Sequence, residues 1–250
     1  MSLLAATMMN NCPPAPFGLT AVVPAAGIGS RMGAEYPKQY LSLAGKTILE
    51  HTLLRLLAHS AITHIVLALA PDDRWFETLA LARDPRILRV SGGSDRARSV
   101  LNALHQVQSD WVLVHDAARP CLTSADIDAL LAVGLTPDGA ILGSRVRDTM
   151  KRSDEADNII ATVPREALWH ALTPQLFATR ALKGALEEGL ALGALITDEA
   201  SAMERAGHVP RMVEGRADNI KVTRPEDLAL AGLFLRQQQD ELATRSKEQP

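Results

Sequence analysis

Two cationic side chains, Arg31 and Lys38, lie in and just after a loop of small residues near the start of the chain. The small residues of this loop are Ala25, Ala26, Gly27, Gly29 and Gly33. Small side chains let successive backbone N–H groups approach a ligand and form a concavity that binds anions. The apolar run before the loop, 19–23, is typical of a buried strand. A strand, a small-residue loop and two cations together indicate a polyphosphate-binding site.

Spacing alone leaves three interpretations of this loop. The first is a glycine-rich turn with two solvated cations. The second is a dinucleotide-binding turn, because Gly27-x-Gly29-x-x-x-Gly33 is close to G-x-G-x-x-G. That motif expects an acidic residue about 20 positions later at the end of a second strand, whereas Glu50 lies in a helical pattern. The third is a nucleotidyltransferase loop that holds a nucleoside triphosphate, and Arg31 and Lys38 favour it.

Three other places along the chain carry candidate site residues. Asp116 follows a buried strand, where it could pair with Arg119 or contact a hydroxylated substrate or a metal-bound phosphate. Gly93 lies in a second small-residue loop whose backbone is suited to reading a base edge, and Ser99 could reach a base or a phosphate. That loop could equally be a helix cap. Lys221 alone would be expected to be solvated, and it is a candidate site residue only if it lies beside the other cations.

The composition sets limits on the class of protein. The 250 residues carry a net charge of −3 and are 47% hydrophobic, so a sizeable core can form and no basic excess predicts nucleic-acid binding. No apolar run approaches the roughly 18 residues of a membrane span. Cys12 and Cys121 lack disulfide or metal spacing, which predicts free thiols in a reducing cytoplasm. The seven histidines show no metal pattern, so no protein-held metal is predicted.

Strand and helix patterns alternate along the chain and predict one domain with a mainly parallel sheet. Strands are predicted at 19–23, 64–69, 87–90, 111–115, 140–143 and 209–213. Helices are predicted at 48–58, 72–81, 96–106, 124–133, 180–188, from 197, and at 225–237, with Ser124 and Thr197 as caps. The domain is expected at 18–236, after a disordered extension at 1–17 and before a polar, frayed tail at 237–250.

The alternation breaks at about 145–163, where many charges and a turn-like Ser153–Asn158 stretch lie between two extended runs. The pattern predicts a hairpin that cannot bury a core of its own. It could be a loose surface loop, but a long unpaired hairpin is marginal in water, which favours an arm packed on another subunit.

Seven motifs in order make the chain similar to the 2-C-methyl-D-erythritol 4-phosphate cytidylyltransferases of the non-mevalonate isoprenoid pathway. They are Pro24-Ala-Ala-Gly-Ile-Gly-Ser-Arg-Met-Gly, Pro37-Lys-Gln-Tyr40, Val114-His-Asp-Ala-Ala-Arg-Pro120, Arg147-Asp-Thr-Met-Lys151, Leu172-Thr-Pro-Gln175, Ile196-Thr-Asp-Glu-Ala200 and Glu214-Gly-Arg-Ala-Asp-Asn-Ile-Lys-Val-Thr223. The resemblance covers about 20–233. A ribitol or other polyol-phosphate cytidylyltransferase, which would share the loop and differ in the acceptor pocket, is the nearest alternative.

The resemblance implies an α/β fold with a Rossmann-like, nucleotidyltransferase-like sheet and a protruding β-hairpin arm that embraces a second subunit in a homodimer. It implies that the acceptor phosphate attacks the α-phosphorus of CTP, with Mg²⁺ held mainly by the nucleotide. Arg31 and Lys38 would stabilise charge, and Arg165 and Lys221 would orient the attacking phosphate. Implied nucleotide contacts are Ala25, Ala26, Gly27, Gly93 and Ser99. Implied sugar-phosphate contacts are Asp116, Arg119, Thr149, Arg165, Thr197 and Lys221.

Overall fold

The computed structural model describes residues 18–27 and 36–248, with side chains described as far as Thr244. Arg31 and the predicted disordered extension at 1–17 lie outside the described residues. Within them, no helix is both long enough and apolar enough to cross a membrane.

Eleven strands and six α-helices make up the described part of the chain. The strands are β1 (Leu19–Ala25), β2 (Ser42–Leu43), β3 (Lys46–Thr47), β4 (Ile62–Leu69), β5 (Ile87–Ser91), β6 (Trp111–Val114), β7 (Ala140–Arg145), β8 (Met150–Ser153), β9 (Ile159–Val163), β10 (Trp169–Ala178) and β11 (Arg211–Glu214). The helices are α1 (Ile48–Leu57), α2 (Arg96–Leu104), α3 (Ser124–Gly134), α4 (Thr179–Ala191), α5 (Glu199–Arg205) and α6 (Pro225–Glu248).

Seven of these strands form one sheet in the order β11-β7-β10-β6-β1-β4-β5. Its neighbours pair in parallel except where β10 runs antiparallel between β6 and β7. The predicted mainly parallel sheet is therefore confirmed. Parallel strands place their carboxyl ends at one edge, which is where ligands bind in sheets of this kind. The segments after β1, β5 and β6 consequently meet at that edge.

Side chains from both faces of the sheet are buried, as expected when helices cover a parallel sheet on each side. Along β1, Ala21 and Val23 pack into a core with residues of α1 and α3. Val22, which points the other way, packs into a core with residues of α2, α4 and α5. Alternation with a period of two thus anchors β1 between two cores and holds its carboxyl end rigidly.

Three predictions about local structure were wrong. The expected helix at 72–81 is instead two short 3-10 turns, Phe76–Thr78 and Ala80–Arg83. The side chain of Asp73 accepts hydrogen bonds from the N–H groups of Trp75 and Phe76, which favours a capped turn over a continuous helix. The caps of α3 and α5 are Thr123 and Asp198, each one residue away from the predicted position.

Two further differences lie in the second half of the chain, at helix α6 and strand β10. Helix α6 does not stop at 237 but continues to Glu248, through the segment expected to be a frayed tail. Its buried Gln238 donates hydrogen bonds to the carbonyl of Cys121 and to Asp218, so tertiary contacts extend the helix past its last strongly apolar turn. Strand β10 was not predicted at all.

The expected hairpin is present as β8 paired antiparallel with β9 in a two-stranded sheet of its own. Ile159 and Ile160 on β9 are 67% and 61% exposed. Two adjacent isoleucines exposed to that extent suit a surface that packs on another molecule. That a second subunit covers them stays a prediction.

Candidate active site

A cavity of about 350 Å³ opens at the edge where the parallel strands end. It is lined by the segment after β1, the loop after β5, the turn after β6 and two lysines. Eight residues singled out from the sequence line it, namely Ala25, Ala26, Gly27, Lys38, Gly93, Ser99, Asp116 and Lys221. The fold thus brings into one place residues that the sequence separates by up to about two hundred positions.

The loop after β5 is packed against the segment after β1. A Cβ on Gly92 would lie 2.3 Å from the Cβ of Ala26, so only glycine permits this approach. The N–H of Gly93 donates to Ser99 Oγ over 3.0 Å, and Ser99 Oγ donates to the carbonyl of Asp95 over 2.8 Å. The hydroxyl of Ser99 is therefore engaged in supporting the loop, and Ser99 forms part of the cavity wall in that role.

Lys38 begins a short 3-10 helix, Lys38–Tyr40, that is tied to the end of β1. The buried side chain of Gln39 donates from Nε2 to the carbonyl of Ala25 over 2.7 Å. Lys38 Nζ donates to the carbonyl of Val222 over 3.0 Å. The first bond holds the turn that carries Lys38 against β1, and the second places the Lys38 ammonium group beside Val222.

Asp116, placed directly after β6, is the centre of a buried group of charges. Its Oδ1 lies 3.1 Å from Arg96 Nε, and its Oδ2 lies 2.9 Å from Lys221 Nζ and 3.5 Å from Arg119 Nε. Burial alone would raise the pKa of this carboxyl. The charges of Arg96, Lys221 and Arg119 outweigh burial and hold the pKa well below its usual range. Asp116 is thus an anion at neutral pH and fixes three cations.

Arg96 and Glu199 belong to this group, although sequence reasoning did not select them as site residues. Arg96 donates from Nη1 and Nη2 to the two carboxylate oxygens of Glu199 over 2.7 and 3.0 Å. Burial works to lower the pKa of Arg96, but the two carboxylates outweigh it and raise the pKa. Glu199 lies in the first turn of α5, where an acidic residue is ordinary, and nothing local distinguishes that role from a place in the site.

A second network supports the turn that carries Asp116. Thr173 Oγ1 accepts from the N–H of Asp116 over 3.1 Å and lies 3.0 Å from His115 Nδ1. His115 Nε2 lies 3.1 Å from the carbonyl of Arg119, so Nε2 carries the proton and Nδ1 accepts from Thr173. Arg119 also donates to the carbonyl of Asn219 over 2.7 Å. These bonds tie the turn to β10 and to the segment before Lys221.

Four predicted acceptor-site residues are not among the described residues that line the cavity. Arg119 is buried behind Asp116, to which it is paired. Arg165 and Thr149 are exposed near the hairpin, where Arg165 donates to the carbonyl of Arg147. Thr197 is exposed, and its N–H donates to Ser201 Oγ over 3.1 Å. Within one chain, the cavity therefore joins only part of the predicted acceptor site.

The carboxylates at the cavity are already engaged. Asp95 caps α2 and pairs with Arg98, and Asp116 is surrounded by cations. In the part of the chain that the structure describes, no group of three or more His, Cys, Asp or Glu side chains could hold a metal ion. The donor set suits phosphate groups, which cations and backbone N–H groups bind.

A mainly parallel sheet whose strand ends carry a glycine loop and convergent cations defines a nucleotide-binding transferase of the nucleotidyltransferase type. Residues 19–237 match the family described as IspD: 2-C-methyl-D-erythritol 4-phosphate cytidylyltransferase. The chain belongs to this family, as its motifs predicted. It is a cytidylyltransferase that uses CTP and 2-C-methyl-D-erythritol 4-phosphate in isoprenoid precursor synthesis.

Individual relatives agree with the family match. The 2-C-methyl-D-erythritol 4-phosphate cytidylyltransferase of Aeromonas hydrophila is 77% identical over 221 residues, which cover 88% of this chain and 91% of that protein. The protein of the same name from Vibrio cholerae is 57% identical over 222 residues, covering 87% and 96%. The crystal structure of the Francisella tularensis 2-C-methyl-D-erythritol 4-phosphate cytidylyltransferase gives a TM-score of 0.75 at 35% identity, covering 87% and 99%.

Proposed function

We propose that the cavity brings CTP and 2-C-methyl-D-erythritol 4-phosphate together for a direct, in-line transfer. A phosphate oxygen of the acceptor forms a bond to the α-phosphorus of CTP. The bond from that phosphorus to the bridging oxygen of the β-phosphate breaks, and its electrons leave with pyrophosphate. Such a transfer depends on positioning and charge stabilisation more than on covalent chemistry by the protein.

One observation carries this proposal. Lys38 donates to the carbonyl of Val222, the residue next to Lys221, and both lysines line the cavity together with the glycine loop. Lysines are suited to hold phosphate groups as point charges. We assign to Lys38 the stabilisation of charge on the reacting phosphorus and the leaving pyrophosphate, together with Arg31, which lies outside the described residues.

The nucleotide half of the site is assigned to the two packed loops. Backbone groups at Ala25, Ala26, Gly27 and Gly93 would contact the cytidine and its phosphates. Their support is local, since Gln39 fixes the end of β1 and Ser99 fixes the loop after β5. Rigid backbone donors cost little reorganisation when the substrate binds, which favours this use.

The acceptor half is assigned to Asp116 and Lys221, with Lys221 at the acceptor phosphate and the buried Arg119 supporting Asp116 through their ion pair. Thr149, Arg165 and Thr197 lie apart from the cavity of their own chain, and Arg165 and Thr149 flank the exposed hairpin. We infer that the chain forms a homodimer through the hairpin arm and that this arm supplies Arg165 and Thr149 to the partner's acceptor site. The exposed Ile159 and Ile160 support this arrangement.

Mg²⁺ is proposed to enter with the nucleotide. The described lining offers cations and backbone N–H groups, while Asp116 and Asp95 are engaged, which fits a triphosphate-bound ion better than one held by the protein. When bound, the ion would neutralise part of the triphosphate charge. We also infer a cytoplasmic location, supported by Cys121, which is a free cysteine in the part of the chain that the structure describes.

Acceptor choice tests the assignment most directly. The chain is incubated with CTP and Mg²⁺ and with either 2-C-methyl-D-erythritol 4-phosphate or ribitol 5-phosphate, and pyrophosphate release is measured. We expect turnover with the first phosphate only. Turnover with ribitol 5-phosphate alone would show that the acceptor half had been assigned to the wrong substrate.

A further inference from the structure

Arg96 occupies an unusual position between two buried carboxylates. It is the first residue of α2 and lines the cavity, with 28% of its side chain exposed. Glu199, which is 1% exposed, accepts hydrogen bonds from both terminal nitrogens of the guanidinium. Asp116, which is 7% exposed, accepts one from Nε. Each of the three guanidinium nitrogens thus donates to a buried carboxylate, and the plane of the group is set by the bidentate contact with Glu199.

The fixed guanidinium determines how Asp116 uses its own oxygens. Because Nε meets Oδ1, the other oxygen, Oδ2, is left for Lys221 at 2.9 Å. A freely rotating guanidinium could instead take both oxygens of Asp116 and displace Lys221. The contact with Glu199 therefore bears on where Lys221 lies, although Glu199 does not contact Lys221 itself.

Glu199 is itself held in place from the sheet. It is the first residue of α5, and Gln175 on β10 accepts from the N–H of Ala200 over 2.9 Å and donates to Asp198 over 2.9 Å. Gln175 is 1% exposed, so this anchor is rigid. The chain of contacts from β10 through Glu199 and Arg96 to Asp116 contains only buried or half-buried polar groups, each with a partner, which is the arrangement that fixes one geometry.

We propose that Arg96 and Glu199 are positioning residues for the transfer, which orient Asp116 so that its Oδ2 keeps Lys221 at the acceptor phosphate. The proposal rests on the acceptor role assigned above to Lys221. It differs from a purely structural role because it predicts an effect on one substrate. Loss of the Glu199 contact should weaken use of the acceptor and leave CTP binding largely intact.

The test compares Glu199→Gln with Glu204→Gln, the same substitution on an exposed position of the same helix. Glutamine keeps the size of the side chain but replaces one acceptor oxygen by a donor, so the bidentate contact is lost. Steady-state kinetics give KM for each substrate and kcat, and calorimetry gives CTP affinity without acceptor. We expect acceptor KM to rise about tenfold in Glu199→Gln, with CTP affinity within about threefold of the wild type, and no change in Glu204→Gln.

Lys221→Ala and the double variant Lys221→Ala with Glu199→Gln distinguish the acceptor role of Lys221 from the positioning role of Glu199. If Lys221→Ala raises acceptor KM and Glu199→Gln adds no further rise in the double variant, both act through one contact and the proposal is supported. A normal acceptor KM in folded Glu199→Gln, beside a raised one in Lys221→Ala, overturns the positioning role alone. An unchanged acceptor KM in Lys221→Ala overturns the role of Lys221 in the acceptor site.

Arg96→Lys provides an independent measurement should Glu199→Gln fail to fold. Lysine keeps the charge but cannot reach two carboxylates with a planar fork, so the same rise in acceptor KM is expected. A fall in kcat with both KM values unchanged, accompanied by a lower Tm, would indicate a structural role and overturn the proposal.

Discussion

Lys38 Nζ donates a hydrogen bond of 3.0 Å to the backbone carbonyl of Val222, 184 residues further along the chain. The bond joins the turn after the small-residue loop to the segment that carries Lys221. It places the two lysines on the same cavity and ties the part of the site that we assign to the nucleotide to the part that we assign to the acceptor. Because of this bond, Lys38 and Lys221 can act on the same bound substrates.

Lys38→Ala should lower kcat by about a hundredfold or more while CTP affinity changes much less. The reason is that a charge-stabilising group acts mainly in the transition state. Pyrophosphate release gives kcat, and calorimetry gives the affinity. Lys46→Ala, an exposed lysine on β3, serves as the control and should keep full activity. A kcat within a few-fold of the wild type would remove Lys38 from this role.

Gly93→Ala should raise KM for CTP by about tenfold or more with a smaller effect on the acceptor. A Cβ at this position would lie 2.4 Å from the Cβ of Arg98 and 2.9 Å from its carbonyl carbon, so the loop must move. Steady-state kinetics with each substrate varied measure the effect. Gly184→Ala on α4 meets nothing within 4 Å and should leave both KM values unchanged while stabilising the helix by up to about 1 kcal/mol. Equal KM values in the two variants would show that the loop is not part of the nucleotide site.

The free energy of unfolding should fall as the pH is lowered from about 6.5 to about 4, in part because of His115. Burial lowers the pKa of this histidine to about 4, whereas histidine in an unfolded chain titrates near 6.5. Between these values the unfolded chain binds the extra proton, so stability is full above the window and is lost across it. Denaturant unfolding of the wild type and His115→Gln at several pH values compares the slopes. The free energy of unfolding of the variant should depend less steeply on pH than that of the wild type. Equal pH dependence in the two proteins would contradict the role of His115.

Ile159→Glu combined with Ile160→Glu should convert the proposed homodimer into monomers of low activity. Both side chains are exposed on β9, so charge there should not disturb folding of the single chain. Light scattering after gel filtration gives the oligomeric state, and pyrophosphate release gives the activity. As a control, Leu192→Glu places a single glutamate on another exposed apolar residue and should leave the oligomeric state and the activity unchanged. A fully active monomer would contradict a site shared between subunits.

Much of the fold could be predicted because its signals are local. The strands β1, β4, β5 and β6 are short runs of buried or β-branched residues between turn residues, and their predicted bounds lie within about two residues of those observed. Strand β10 escaped prediction because its Thr173-Pro174 step interrupts the pattern and its pairing shifts register between Ala171 and Gln175. Its place between β6 and β7 depends on partners far away in the chain.

Residue types and the order of the motifs were enough to establish the class of site. The small-residue loop after β1, the second loop at Gly93, Lys38, Asp116 and Lys221 each carry a residue type suited to phosphates or hydroxyl groups, and their order identified the family. How these groups act together depends on contacts between residues that are far apart in the chain. Arg96 and Glu199, 103 residues apart, each look ordinary in their own helix turn. Their pairing appears only when the fold brings α2 and α5 together. A charged side chain can be identified as buried and paired only once the partner that neutralises it is known.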